Sequence, residues 1–287
     1  MQIVTDHGVD LAPEQVEGLD LNYVPLNILL DGKTYRGGED LTSKKFYELL
    51  AESESMPSTS QPSPAEFAEV YRELAKKDPD ILSIHLSSAL SGTFNSAQLA
   101  AEMVPEANIT LLDTKTVSCP EAWQVLAAAK AVKAGWPLEM VLSLVNTVSL
   151  KTDAIFTLGR LKYLVHGGRV GHLKGLLAAL LNIKPILGVD RVTGMLDERG
   201  KQQTVKRALR TIVDKIAKVH PEGSALRVQI MHGDALASVA MLQELMEARF
   251  ECHWEPVVQI APVLGAHTGP TLTGISYGPL EAYQDIP

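Results

Sequence analysis

Residues 81–103 read ILSIHLSSALSGTFNSAQLAAEM, and the fold class turns on them. Residues 81–86 read as a short strand and residues 94–103 as a helix. Between them Ser87-Ser88-Ala89-Leu90-Ser91-Gly92-Thr93 forms a hydroxyl-rich turn. Such a turn aims backbone N–H groups and hydroxyls at an anion beside a helix N-terminus. It also reads simply as a turn that caps a helix. It is no P-loop, because the Gly-x-x-x-x-Gly-Lys-Ser/Thr spacing is absent, and Gly-x-Gly-x-x-Gly is absent as well.

The same strand–turn–helix alternation runs outward in both directions. Strands are expected at 2–5, ending on Asp6, and at 23–30, before the turn Asp31-Gly32. Helices are expected at 42–52 and at 64–77, the second with Ser63 as N-cap, Pro64 in its first turn and Glu66 three residues on. A strand at 109–112 leads to a helix at 118–134 with a Ser118/Glu121 capping box. This alternation implies a parallel sheet with crossover helices. Past residue 150 come a strand at 153–158, a Gly-, Arg- and Lys-rich helical region to about 183, and strands near 185–189 and 194–196. A basic amphipathic helix at 202–218 follows, then a strand at 227–231, a helix at 235–249 and strands at 257–260 and 271–276. The expected architecture is α/β in two domains: residues 1–150 around a parallel sheet, and 151–287 around a mixed sheet. The change of domain is placed between Leu142 and Thr152.

Length and composition agree with two soluble domains. The chain has 287 residues, with 46% apolar, 21% charged and 5% aromatic residues. No apolar run approaches the ~18 residues of a membrane span. The start, MQIVTDHGVD, lacks the basic-then-apolar order of a secretory signal. Cys119 and Cys252 form no close pair, which suits a reducing cytoplasm. A net charge of −8 without a basic stripe speaks against nucleic-acid binding.

In open α/β sheets ligands bind beyond the carboxyl ends of strands. The residues expected there are Asp6-His7-Gly8, the 87–93 turn, Asp113-Thr114, His232-Gly233-Asp234 and the loop His267-Thr268-Gly269-Pro270. The polar loop Ser58-Thr59-Ser60-Gln61-Pro62 precedes a helix. Arg160, Lys162, Arg169 and Lys174 flank Gly167-Gly168, where the backbone allows close approach and Arg169 offers a planar donor fork to a carboxylate or phosphate. The alternative for these cations is a solvated basic face. His267 suits anion donation or general-base work. His166 and His172 are six apart, not the four of a helical zinc pair, so no metal is expected.

Taken in order, these motifs resemble the DegV family of bacterial fatty-acid-binding proteins. The resemblance runs from Ile3-Val4-Thr5-Asp6 through Thr59-Ser60-Gln61-Pro62-Ser63, the 87–94 turn, Asp113-Thr114, Gly159-Arg160-Leu161, Gly167-Gly168-Arg169 and Lys184-Pro185-Ile186-Leu187 to His267-Thr268-Gly269-Pro270. It implies a long-chain fatty acid held between the two domains. It implies that Thr59, Ser91, Gly92, Thr93, His267 and Arg169 bind the carboxylate. It also implies presentation of that carboxylate to a separate fatty acid kinase for acyl-phosphate formation, so a carrier and not itself an enzyme, with no cofactor besides the lipid. Ile155, Leu158, Leu173, Leu177, Ile186 and Leu264 are expected to line the acyl tail. A cytoplasmic monomer is expected, with peripheral membrane contact during lipid exchange. Two positions depart from the family pattern: His7, where Ser is usual, and His166, where Lys is usual.

The energetics are compatible. Burying a sixteen-carbon chain gives ~11 kcal/mol gross at ~0.8 kcal/mol per methylene, much of it offset by lost freedom. A buried carboxylate needs donors, each charged hydrogen bond contributing ~1.5–3 kcal/mol. Two alternatives stand beside this reading. One is a hydrolase using Ser91, His267 and Asp6 or Asp234, although no Gly-x-Ser-x-Gly elbow is present. The other is a lipid-responsive regulatory protein.

Overall fold

The computed structural model describes residues 1–170 and 183–287. The first half contains β1 (Gln2–Asp6), β2 (Leu21–Val24), β3 (Asn27–Leu30), β4 (Lys33–Arg36), α1 (Ser43–Glu52), β5 (Ser58–Ser60) and α2 (Pro64–Ala75). It continues with β6 (Asp80–His85), α3 (Thr93–Glu102), β7 (Asn108–Asp113), α4 (Cys119–Lys133) and α5 (Leu138–Lys151). The second half contains β8 (Asp153–Leu158), α6 (Lys162–His166), β9 (Lys184–Val189), β10 (Leu196–Gln202), α7 (Val205–Val219) and β11 (Ala225–His232). It ends with α8 (Leu236–Glu247), β12 (Glu251–Trp254), β13 (Val258–Gln259), α9 (Pro262–Thr268) and β14 (Leu272–Pro279).

The fold is two α/β units, as expected. The N-terminal sheet has the order β2-β1-β6-β7 and is parallel throughout. The C-terminal sheet, β10-β9-β8-β14-β11-β12 with β13 beside β11, mixes antiparallel and parallel pairs. No described helix is long and apolar enough to cross a membrane.

Several local expectations are corrected. The strand expected over 23–30 is two strands in different sheets. Pro25, without an N–H, ends pairing with β1, and the chain leaves for a small sheet of order β4-β3-β5. The polar stretch at 58–60 is the edge strand β5 of that sheet, not a loop. Ser118 does not form the expected capping box. Its backbone sits at φ 67°, its side chain makes no cap, and its hydroxyl bonds the Asp10 carboxylate instead. The capping box at Ser63 and Glu66 forms as read, with Glu66 N–H donating to Ser63 Oγ at 3.3 Å and Ser63 N–H to Glu66 Oε2 at 2.8 Å. Residues 138–151 form α5, burying Val141, Leu144, Val145 and Val148 at helical spacing.

Strand alternation divides the second sheet between two cores. Phe156, Leu158 and Leu187 face a core shared with Ile28, Phe46 and Tyr47 from the small sheet and α1. Ile155 and Ile186 face the opposite core beneath α7 and α8. The shared core therefore lies between the N-terminal elements and the inner face of the C-terminal sheet.

A second junction ties the halves together. Trp123 on α4 is fully buried and donates from Nε1 to Gln229 Oε1 at 2.7 Å. The Arg227 guanidinium lies 4.3 Å from the Trp123 ring centroid and 4.9 Å from that of Tyr283, and its Nε bonds Glu255 Oε1 at 2.8 Å. Trp123→Ala removes both packing and hydrogen bond and should cost about 3–5 kcal/mol in urea unfolding. Leu150→Ala, at a side chain 59% exposed, should stay within about 0.5 kcal/mol. Equal losses from the two substitutions would contradict this assignment.

Candidate functional site

Thr59 projects from β5 opposite Ile28 of β3, which fixes its position at the edge of the shared core. His267 lies in the last turn of α9, a helix where the sequence suggested only a loop. Their side chains meet across 208 positions of sequence, Thr59 Oγ1 to His267 Nε2 at 2.8 Å. Two glycines make this approach feasible. A Cβ on Gly167 would collide with His267 Nδ1. Gly269, at φ 72°, turns the chain out of α9 at a point where a Cβ would enter the Tyr163 ring.

Burial, reinforced by the nearby Arg169 and His166 charges, pushes the His267 imidazole down to about 4. The ring is therefore neutral at pH 7, with one N–H. Its Nδ1 is buried and has no partner among the described residues. An orphaned donor is costlier than an orphaned lone pair, which favours the proton on Nε2. Nε2–H then donates to Thr59, and the threonine hydroxyl is left to donate to an anion.

Ser91 also borders the cavity that Thr59 and His267 line. Its Oγ is 2.9 Å from Thr93 Oγ1 and accepts the Thr93 N–H at 3.3 Å. Gly92 packs under Gln61, whose Nε2 would lie 3.0 Å from an added Cβ. Arg169 is held by neutral acceptors, its Nε donating to Leu90 O at 3.2 Å and its Nη1 to Gly167 O at 2.6 Å. Neither contact compensates its charge.

Thr59, Ser91, Arg169 and His267 all border one cavity, partly open to solvent, whose empty space together with the solvent at its opening is about 950 Å³. The rest of the lining is mostly apolar, including Leu26, Leu90, Phe156, Val263, Leu264 and Leu272. Of the residues expected along an acyl tail, Leu264 borders the cavity. Leu158 belongs to the shared core but not to the cavity wall, and Ile155 and Ile186 point to the far side of the sheet. Leu173 and Leu177 lie outside the described residues. Gly92 and Thr93 stand just behind Ser91 and do not border the cavity. The sequence reading missed Phe156, Ala154 and Leu196 as wall residues. The period-2 alternation of residues 153–158 pointed to the first two.

Other motif residues serve elsewhere. Asp6 accepts the Gly8 N–H at 2.8 Å and the Leu86 N–H at 3.1 Å, and it pairs with His85 Nδ1 at 3.0 Å. His85 Nε2 reaches Ser83 Oγ at 2.7 Å, which reaches Tyr71 OH at 2.8 Å, all fully buried. Asp6 thus supports the 85–87 strand end and does not approach His267. Among the described residues Ser91, His267 and Asp6 make no mutual hydrogen bonds, so the serine-hydrolase arrangement is not assembled here. The buried Asp10 carboxyl, pushed up to about 7 by desolvation, accepts the Ala261 N–H at 2.6 Å and so holds the start of α9, the helix that carries His267. Among the described residues no group of three or more His, Cys, Asp or Glu is placed to hold a metal.

The neutral, buried imidazole has a consequence for stability. Unfolded, it titrates near 6.5; folded, at about 4. As pH falls through this window the unfolded chain takes the proton first, so stability drops, by about 3 kcal/mol from this group. Urea unfolding of the wild type and His267→Gln at pH 7, 5.5 and 4.5 should show the variant losing less stability with acid. Parallel curves would contradict the assignment.

The comparisons with known proteins bear on this geometry. The DegV family model, described as "Uncharacterised protein, DegV family", matches residues 1–280. A DegV domain-containing protein of Deinococcus radiodurans is 34% identical over 282 residues, 98% of this chain and 99% of that protein. A DegV family protein of Thermus thermophilus, whose structure is described for its fatty acid binding, superposes with a TM-score of 0.88. It is 31% identical, with 97% of this chain and 99% of that chain covered. The fatty acid kinase B3 protein of Streptococcus pneumoniae, solved loaded with linoleic acid, shares the fold at TM-score 0.81 and 20% identity, over 96% and 98% of the two chains. With a family model spanning nearly the whole chain and a full-length relative at 34% identity, the chain belongs to the DegV family.

Proposed function

We propose that this protein binds a long-chain fatty acid between its two α/β units and presents the carboxylate to a separate fatty acid kinase. One observation carries the reading. Thr59, Ser91, His267 and Arg169, from four separate segments, border one cavity whose remaining lining is mostly apolar. An amphipathic ligand with an anionic head and a hydrocarbon tail matches that division. The fatty acid binding described for the Thermus thermophilus protein supports the ligand class.

The chain's own groups have distinct tasks in this reading. Thr59 and Ser91 donate to the carboxylate. His267 orients Thr59 while staying uncharged. Arg169 offsets the negative charge at the mouth, where a carboxylate needs compensation once desolvated. The head group stays at the rim and the tail is enclosed, so a partner enzyme reaches the carboxylate without extracting the chain. The kinase-presenting role comes from the family resemblance, and the streptococcal kinase B3 protein with this fold points the same way. A cytoplasmic site of action fits a soluble acceptor enzyme.

Lipid extraction from purified protein followed by mass spectrometry should return about one fatty acid per chain. Absence of bound acid, together with failure to load any, would overturn the reading. Thr59→Val should weaken hexadecanoate binding about ten- to hundred-fold, the effect of losing one hydrogen bond to a charge. With purified fatty acid kinase and ATP, the double variant Ser91→Ala/His267→Ala should form no acyl phosphate while its circular dichroism stays native. Normal turnover by that variant would place the head group elsewhere.

A further inference from the structure

Residues 86–92, between β6 and α3, belong to no helix or strand. The place of Ser91 in this turn therefore rests on individual hydrogen bonds, and Ser87 makes most of them. Its N–H donates to Thr116 O at 2.8 Å, and its carbonyl accepts the Leu90 N–H at 3.0 Å and the Ser91 N–H at 3.1 Å. Its Oγ accepts the Ala89 N–H at 3.2 Å and donates to Gly194 O at 2.8 Å. Ser87 is fully buried and does not itself border the cavity, so these bonds face no competition from water.

Gly194 comes from the other α/β unit. It lies in the tip of the β9–β10 hairpin, residues 190–195, which is braced within itself. Asp190 Oδ1 accepts the Thr193 N–H at 2.7 Å and the Val192 N–H at 3.1 Å, and the Gly194 N–H donates to Asp190 O at 2.7 Å. The sheet does not hold this tip, because β9 pairs with β8 only through Ile186, Leu187 and Gly188. Past Gly188 the hairpin bonds the N-terminal unit through Ser87 Oγ on Gly194 O and through Arg191 on Leu150 O.

The first of these contacts needs a glycine. Gly194 sits at φ 71°, and a Cβ there would lie 2.1 Å from Ser87 Oγ. At the base of the tip, Val189 and Leu196 are register partners, and both border the cavity. One hydroxyl thus joins a piece of the C-terminal cavity wall to the turn that carries Ser91.

We propose that Ser87 is a positioning residue for the carboxylate: by holding Gly194 O it fixes the turn against the hairpin and so sets where Ser91 Oγ points. This role rests on the fatty-acid reading above and deepens it. Without the Ser87 hydroxyl, the Ala89 N–H and the Gly194 carbonyl lose their partner, and the turn loses its anchor on the second unit. A residue that acts through Ser91 has a distinct signature. Its effect on binding shrinks once Ser91 has no hydroxyl to aim, whereas a general loosening of the fold costs the same factor with or without that hydroxyl.

Delipidated wild type, Ser87→Ala, Ser91→Ala, the Ser87→Ala/Ser91→Ala double variant and Gly194→Ala should be titrated with hexadecanoate by calorimetry. Ser91→Ala should weaken binding about ten- to hundred-fold, the effect of losing one hydrogen bond to a charge. Ser87→Ala should weaken it by at least about threefold alone, and by a smaller factor in the Ser91→Ala background. Gly194→Ala, whose methyl group pushes the Ser87 hydroxyl aside, should act in the same direction as Ser87→Ala. The proposal falls if Ser87→Ala weakens binding less than about threefold, or if it costs the same factor in both backgrounds. If Ser87→Ala does not fold, Gly194→Ala takes its place in the cycle under the same limits. Wild-type protein that binds no hexadecanoate would overturn the carrier reading itself.

Discussion

The contact between Thr59 Oγ1 and His267 Nε2 joins the two ends of the molecule's chemistry. One partner comes from the edge of a three-stranded sheet in the first half, the other from a short helix near the C-terminus. The contact requires a neutral ring, and burial beside Arg169 and His166 supplies it. It requires a close backbone, and Gly167 supplies that. It requires α9 to start in the right place, and the Asp10 carboxyl holds the Ala261 N–H there. Remove any of these and the hydroxyl at the cavity mouth loses its orientation. The same burial that keeps His267 uncharged leaves Arg169 as the one cation bordering the cavity among the described residues.

Around this contact the structure separates polar and apolar duties cleanly. The N-terminal parallel sheet provides the turn at Ser87–Thr93, which ends a strand and starts α3. Its support is the buried Asp6–His85–Ser83–Tyr71 chain, whose members satisfy one another and so need no water. The C-terminal sheet provides the apolar wall through Phe156 and Leu272, while its other face is packed by α7 and α8. The Trp123–Arg227–Tyr283 stack and the Trp123–Gln229 hydrogen bond hold the halves together away from the cavity. The cavity between the units is thereby framed on both sides.

Much of this was legible in the residues. The Ser63-Pro64-x-Glu66 start of α2 forms as capping chemistry requires, and the strand–turn–helix at 81–103 identified both the sheet type and one side of the mouth. Where expectation failed, nonlocal packing decided. Pro25 splits one apolar run between two sheets, because the run after it finds a partner only in β4 and β5. Residues 262–268 form a helix despite Gly265, because Pro262 starts it and the Gly265 position leaves room for the Phe46 and Tyr47 rings. Ser118 abandons its capping role for the Asp10 carboxylate, 108 positions away. Hydrophobicity alone points to Ile155 and Ile186 as tail-lining residues. Alternation along β8 and β9 sends them to the opposite core and gives the wall to Phe156, Ala154 and Val189. The helix at 138–151 had its signal in view, with apolar residues at 141, 144, 145 and 148.

The central claim is that a fatty-acid carboxylate sits at the Thr59–His267 contact. Carbon-13 NMR of hexadecanoate labelled at the carboxyl carbon, bound to the protein, tests it most directly. Bound at Thr59, the label gives one sharp resonance in slow exchange, shifted from the free acid and moved again by Thr59→Val and by His267→Gln. A resonance that either substitution leaves in place would contradict the claim.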